Sequence, residues 1–266
     1  MNSSTDLHYL EMYELSQLIR SRKISPIDVT TAQLARIEAL DSKLHSYARV
    51  TAEIALEQAQ QAEDELAKGI FRSPLHGIPI AFKDLIDTAG VVTAAGMPLH
   101  AHRIPEHDAT VVTRLREAGT VMLGKLQMTE GAFAIHHPDI VEPNNPWGAD
   151  HWAGASSSGA GIATAAGLCY GALGSDTGGS IRFPCAANGL TGLKPTWGRV
   201  SRYGVMEMAA SLDHVGPITR SARDTLFLLS TISGHDPLDP TSLSSVCLEI
   251  PSIEPSFKGL IVGVDL

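Results

Sequence analysis

A segment of small residues from Ala153 to Gly179, in which no charge appears before Asp176, constrains most strongly how this chain can fold. The segment consists mainly of Gly, Ala and Ser, and larger apolar residues such as Ile162 and Leu173 interrupt it. A flexible linker can share this composition. Small uncharged residues also let backbones approach closely in a buried helix that is bounded by glycine turns. We therefore predict a tightly packed buried helix here, and a flexible linker is the alternative.

Outside this segment, predicted helices alternate with short apolar strands. The first 70 residues are predicted to be helical: Ser25 and Pro26 form a capped helix start, and Gly69 ends a second helix that begins near Thr51. The later elements are predicted in chain order as a strand over 77–83, a helix over 108–118, a strand over 119–124, a helix over 223–233 and a strand over 260–266.

This order of elements predicts an α/β fold, in which helices cover both faces of a mixed β-sheet core. We expect residues 1–70 to form an N-terminal helical segment that packs on a core formed by residues 71–266.

Composition narrows the classes of partner and the compartment. The 266 residues carry a formal net charge of -9, and the charges are scattered, which argues against nucleic acid or an anionic membrane as a partner. No apolar run approaches the roughly 18 residues that span a bilayer, and the first residues lack the pattern of a signal peptide. We therefore expect a cytoplasmic protein. Three cysteines without a Cys-x-x-Cys spacing indicate reduced thiols.

Lys83 is the first candidate for chemistry, because apolar residues surround it on both sides in sequence. A lysine acts as a base near pH 7 only when burial disfavours its charged form. Its neighbour Asp84 would oppose this effect, but adjacent strand residues point to opposite faces, so we expect Asp84 to point away. The alternative is an ordinary lysine at a strand end that forms a surface ion pair.

Two serines complete the set of candidates. Ser180 follows Gly178 and Gly179, which permit a sharp turn whose N–H groups can face one point, as in an oxyanion hole; a plain glycine turn is the alternative. Ser156 begins a run of three serines, which alone is typical of a loop or a helix cap. Cys185 could also be a nucleophile, although a small buried filler fits it better.

Other motifs carry less weight. Residues 119–125 resemble a phosphate-binding loop, but Leu126 stands where that loop needs Ser or Thr. The adjacent pair His136–His137 lacks the spacing of a metal site, so we expect no metal and no cofactor.

The frames around Lys83, Ser156 and Ser180, in this order and at these spacings, resemble the amidase signature family of amide hydrolases. The likeness is clearest over 75–90 and 145–217, and it makes residues 71–266 an amidase catalytic core. The resemblance implies that Ser180 is the acyl-forming nucleophile, that Ser156 relays a proton, and that Lys83 is the base. It also implies a cis peptide bond between Ala155 and Ser156.

The resemblance further assigns the surroundings of these three residues. It implies an oxyanion hole that is built from the backbone N–H groups of Thr177, Gly178, Gly179 and Ser180. It also implies supporting roles for Ser157, Asp176 and Arg182, the last two as a charge pair that shapes the loop. This chain has Ala155 and Ser158 where the family usually has glycine.

The implied function is hydrolysis of a small carboxamide or anilide to an acid and ammonia or an amine, through a seryl acyl-enzyme. Two alternatives remain open: the glutaminase subunit of a tRNA-dependent amidotransferase, and a truncated inactive relative. Family members are much longer chains, so the resemblance implies that this one lacks their C-terminal part. Their N-terminal helices often pair between subunits, which leaves a homodimer open.

Overall fold

The computed structural model describes residues 7–244 together with 259, 261 and 263. The helices in this part are α1 Met12–Arg20, α2 Pro26–Leu44, α3 Ala52–Ala67, α4 Thr110–Glu117, α5 Ser158–Ala165, α6 Arg182–Asn188 and α7 Ala222–Ile232. The strands are β1 Tyr47–Val50, β2 Pro79–Lys83, β3 Val121–Leu126, β4 Gly171–Asp176, β5 Thr191–Gly192 and β6 His214–Thr219. None of the helices in these residues is long and apolar enough to cross a bilayer.

The strands form one mixed sheet in the order β1-β3-β2-β4-β6-β5. β2 is parallel to both β3 and β4, and the other neighbouring pairs are antiparallel. Alternate residues of β2 face opposite sides of the sheet: Ile80 and Phe82 lie in one apolar cluster and Ala81 in the other. Helices α1, α4 and α7 contribute to the first cluster, and α3 and α5 contribute to the second. The predicted α/β class, with a mixed sheet covered on both faces, is confirmed.

The local signals explain where several helices begin and end. The Ser25 side chain accepts a hydrogen bond from Ile27 N at 3.0 Å, and Pro26 occupies the first turn of α2, as predicted. Helix α3 ends at Ala67, and Gly69 follows with a φ of 79°, a conformation that glycine adopts freely. The predictions for β2, α4, β3 and α7 are confirmed with shifts of a few residues at their ends.

The small-residue segment is folded and buried, but only part of it is helical. Helix α5 ends at Ala165, and the segment then forms β4 in the middle of the sheet, where the sequence predicts helix. Gly171 begins this strand, and a Cβ at that position would lie 2.2 Å from the Met12 side chain of α1. The lack of side chains therefore permits close packing on a central strand, and the linker alternative is wrong.

Strands β1, β5 and β6 were not predicted, because neither their length nor an alternating apolar pattern distinguishes them from loops in the sequence. β1 lies inside the first 70 residues, which were predicted to be entirely helical, and it is a short, largely exposed strand at the sheet edge. β5 is two residues long, and β6 contains a proline. The predicted strand over 260–266 lies outside the continuously described residues. Helix α1 joins the same apolar cluster as the sheet, but the division into 1–70 and 71–266 stays a prediction.

Candidate active site

Lys83 is the last residue of β2 and is completely buried. Its Nζ lies 2.5 Å from Ser156 Oγ and 2.8 Å from Ser175 Oγ, so two hydroxyls contact the amine. A surface ion pair, the alternative interpretation of this lysine, is therefore wrong. The sequence placed Ser156 near Lys83 only through the family resemblance, and it gave no separate signal for Ser175.

The environment of Lys83 favours its uncharged form. Burial lowers the pKa of Lys83 to about 7, although Asp176 and Asp213 oppose the effect through their negative charge. Asp84 points elsewhere: its Oδ2 accepts a hydrogen bond from Ala94 N at 3.1 Å. A substantial fraction of Lys83 is thus neutral at pH 7, as a general base requires.

Ser156 lies where the charge-free segment turns into α5. The Ala155–Ser156 peptide bond is cis, as the family resemblance implies, and the Ser156 side chain is buried. Thr129 N donates to Ser156 O at 3.2 Å, which ties this turn to the loop after β3. Ser157 Oγ donates to Ser175 O at 3.3 Å and accepts from Ser175 N at 3.4 Å. These contacts fix the two hydroxyls that touch Lys83 relative to each other.

The loop between β4 and α6 is held from inside by Asp176, whose side chain is completely buried. Its Oδ1 accepts hydrogen bonds from Gly179 N and Arg182 Nη2 at 2.9 and 2.8 Å, and its Oδ2 accepts from Ile181 N and Arg182 Nε at 3.1 and 3.0 Å. Burial alone would raise the pKa of Asp176, but the Arg182 guanidinium and the loop amides outweigh burial and hold it below its usual value. The predicted pair of Asp176 and Arg182 is present.

The same loop carries Ser180 and the predicted oxyanion hole. The N–H of Gly179 is already bonded to Asp176, whereas those of Thr177, Gly178 and Ser180 have no acceptor within residues 7–244. Gly179 has a φ of 138°, and a Cβ there would lie 2.4 Å from the Phe183 ring, so only glycine fits. Ser180 is partly exposed and is not among the hydrogen-bond partners of Lys83.

A cavity of about 270 Å³ lies against this loop. Ser175, which contacts Lys83, and Thr177 form part of its wall. The Thr177 hydroxyl donates a hydrogen bond to Asp213 Oδ1 at 2.5 Å. Its apolar lining residues include Leu85, Ala132, Val205, Met206, Val215 and Leu238. Charged side chains, among them Arg202, Glu207 and Asp239, also line it, whereas Lys83, Ser156 and Ser180 do not. The cavity can therefore accept a small molecule that has both apolar and polar groups.

Cys185 and the pair His136–His137, the other candidates from the sequence, have contacts or burial that explain them without a catalytic role. Cys185 is buried, and burial raises the pKa of its thiol to about 12, which removes it as a nucleophile near neutral pH. His136 Nε2 lies 3.0 Å from Ser158 Oγ, and His137 Nδ1 accepts a hydrogen bond from Asp139 N. In residues 7–244, no group of His, Cys, Asp and Glu side chains is arranged to hold a metal ion.

We expect Asp176→Asn to lower the melting temperature by about 5 °C, because the new amide group presents a donor to the loop's own donors. Thermal unfolding measures this effect. Asp150→Asn, which changes an exposed carboxylate, is the matched control and should leave the melting temperature unchanged. A wild-type melting temperature for Asp176→Asn would show that the loop does not need this anchor.

Comparison with known proteins points to one family. A sequence profile of the Amidase family matches residues 28–265. The Mycobacterium tuberculosis protein named "Putative amidase AmiD" is 56% identical over 232 residues, which are 87% of this chain and 49% of that protein. A glutamyl-tRNA(Gln) amidotransferase subunit from Moorella thermoacetica is 46% identical over 265 residues, which are 97% of this chain and 54% of that protein.

Solved structures give the same result. The native peptide amidase from Stenotrophomonas maltophilia superposes with a TM-score of 0.83 at 36% identity, over 88% of this chain and 50% of that one. The chain thus spans about half the length of the curated relatives and solved structures that it matches.

Proposed function

This chain belongs to the amidase family, and from that membership we propose that it hydrolyses the C–N bond of a carboxylic acid amide through a seryl acyl-enzyme. The observation that carries the proposal is the completely buried Lys83 amine, which lies 2.5 Å from Ser156 Oγ and 2.8 Å from Ser175 Oγ on the strand that leads into the Ser180 loop. We assign Ser180 as the nucleophile, Ser156 as the proton relay and Lys83 as the base. These steps need no metal and no cofactor.

In the first half-reaction, neutral Lys83 takes a proton from Ser156 while Ser156 takes one from Ser180. Ser180 Oγ then forms a bond to the amide carbonyl carbon, and the carbonyl oxygen becomes an oxyanion. The N–H groups of Thr177, Gly178 and Ser180 are the donors left to stabilise it, because Asp176 engages that of Gly179. The C–N bond breaks as the relay returns its proton to the leaving nitrogen, so ammonia or an amine departs.

The second half-reaction repeats the relay with water. Water loses a proton through Ser156 to Lys83 and attacks the acyl carbon. The ester bond to Ser180 breaks, the proton returns to Ser180 Oγ, and a carboxylic acid leaves. Ser175 contributes a second hydroxyl at 2.8 Å from Lys83 Nζ, which holds the amine in place while its partner changes protonation.

The cavity of about 270 Å³, which Ser175 and Thr177 line together with apolar and charged side chains, supports a small-molecule substrate. A small carboxamide or anilide fits this space better than a polymer. A second candidate function is the glutaminase step of a tRNA-dependent amidotransferase, because a relative named as a component of such an enzyme is 46% identical over 97% of this chain. Release of ammonia from glutamine, increased by a co-purified partner protein, would favour this second function.

Labelling with a serine-directed fluorophosphonate, followed by peptide mass spectrometry, tests the proposal directly. We expect one adduct, on Ser180, and loss of the label after denaturation of the protein before treatment. Folded protein without an adduct on Ser180 would favour the remaining alternative, a truncated inactive relative.

We expect kcat/KM to rise with pH through about 7 and to level off above it, because burial lowers the pKa of Lys83 to about 7 and the neutral amine is the active form. Initial rates of amide hydrolysis at saturating and limiting substrate between pH 5 and 9 measure this profile. A flat profile across that range would remove Lys83 as the base.

A further inference from the structure

A second lysine, Lys125, is completely buried within the described part of the sheet and takes no part in the proton relay. It lies on β3, next to β2, and pairs with Phe82 in the parallel ladder. The sequence drew attention to it only as the end of an imperfect phosphate-binding loop. A lysine is rarely buried unless it is paired, so its contacts require an explanation.

A β-bulge determines where Lys125 points. The register advances by two residues in β2, from Ile80 to Phe82, but by three in β3, from Met122 to Lys125. Without the extra residue, alternation from Leu123 would place Lys125 on the face of the sheet to which Ala81 and Lys83 belong. The bulge places it beside Phe82 instead, on the opposite face from Lys83. Bulges that redirect a side chain are common next to active sites.

All the polar contacts of Lys125 lie on the turn that immediately follows Lys83. Its Nζ donates to Ile86 O and, at 2.8 Å, to Thr93 Oγ1, and it lies 3.9 Å from Asp84 Oδ1. Ile86 N in turn donates to Lys83 O at 3.0 Å. Lys125 is thus linked through Ile86 to the backbone carbonyl of Lys83, the proposed base.

The hydrogen-bond and ion-pair partners of Lys125 differ from those of Lys83. Lys83 touches two hydroxyls, whereas Lys125 contacts a carbonyl and a hydroxyl and has a carboxylate nearby. Burial lowers the pKa of Lys125 to about 8, while Asp84, Asp87 and Asp108 oppose that effect and Arg103 adds to it. Burial also raises the pKa of Asp84 to about 6, and the positive charge of Lys125 opposes that effect.

We infer that Lys125 is a positioning residue for the proposed reaction: it clamps the turn over residues 84–93 so that Lys83 Nζ stays between Ser156 and Ser175. The inference rests on the proposed function. The clamp acts from the opposite face of the sheet, so it fixes the backbone that carries the base without occupying the cavity. The bulge also requires glycine at position 124, because a Cβ there would lie 2.2 Å from Arg49 O.

Lys125→Met and the double variant Asp84→Asn/Lys125→Met test this inference. The single variant leaves the buried Asp84 carboxylate without its lysine partner and can lose stability for that reason alone. The double variant removes both charges. Lys23→Met, at an exposed lysine, is the control. The measurements are the melting temperature, the rate of fluorophosphonate labelling of Ser180 against pH, and kcat and KM for amide hydrolysis.

We expect the double variant to keep a cooperative unfolding transition and to label Ser180 at least about 10-fold more slowly than wild type. The loss should appear in kcat with KM within about 2-fold, and the midpoint of the pH profile should move, because Lys83 no longer sits in its native environment. A folded double variant with wild-type labelling rate and midpoint would overturn the positioning role while leaving the proposed function intact. Wild-type protein that is folded but never labelled would overturn both.

Discussion

Ser180→Ala should reduce amide hydrolysis by at least about 1000-fold, because the substitution removes the only atom that can form the acyl-enzyme in the proposed mechanism. The Ser180 side chain is partly exposed and is not a hydrogen-bond partner of Lys83, so its removal should leave the fold unchanged. We therefore expect a melting temperature within about 2 °C of wild type and no adduct after fluorophosphonate treatment.

The control for this experiment is Ser211→Ala, which deletes an exposed hydroxyl outside the loop and should match wild type in both assays. Ser156→Ala provides the internal comparison: it removes the relay but keeps the nucleophile. It should also be severely impaired, and the label should still reach Ser180, at a lower rate. Turnover by Ser180→Ala above about one thousandth of wild type would mean that another group attacks the amide.

Local sequence signals predicted some elements of the fold, whereas elements that depend on long-range packing were missed. Apolar periodicity and capping residues are local, so they predicted the start of α2 at Pro26 and the end of β2 at Lys83. Central strand β4 was predicted as helix, since Gly171 and its small neighbours are determined by what packs on them rather than by their own preference.

The site was predictable only in part for the same reason. Lys83, Ser156 and Ser180 lie in recognisable local frames, whereas Ser175 meets Lys83 through strand pairing across 92 residues of chain. The position of Lys125 depends on a bulge in β3, which shifts the register by one residue and which no local sequence pattern predicts. Likewise, the hydrogen bond from Gly179 N to Asp176 depends on how the loop folds, and it removes one of the predicted donors to an oxyanion.

Lys83→Met should lower kcat/KM by at least about 1000-fold, because the variant lacks a group that can accept the relayed proton. Methionine has nearly the same length and no charge, so it can fill the buried space that the lysine stem occupies. We expect folded protein in which Ser180 is labelled far more slowly than in wild type, across the whole range from pH 5 to 9. Lys23→Met, at an exposed lysine, is the control and should retain wild-type activity.

The same pair of proteins yields a second, independent readout from stability. Burial lowers the pKa of Lys83 to about 7 in the folded state, whereas an unfolded lysine titrates near 10.4. Between these values the unfolded state binds more protons, so this lysine makes the free energy of unfolding rise with pH, by at most about 1.4 kcal/mol per pH unit. The stability that wild type gains above pH 7 is therefore lost again as the pH falls towards about 7, and Lys83→Met shows no such gain. Urea denaturation at pH 7, 8 and 9 measures the free energy of unfolding of both proteins. We expect the value for wild type to rise with pH relative to that for Lys83→Met. The same pH dependence in both proteins would mean that Lys83 is not buried as a neutral base.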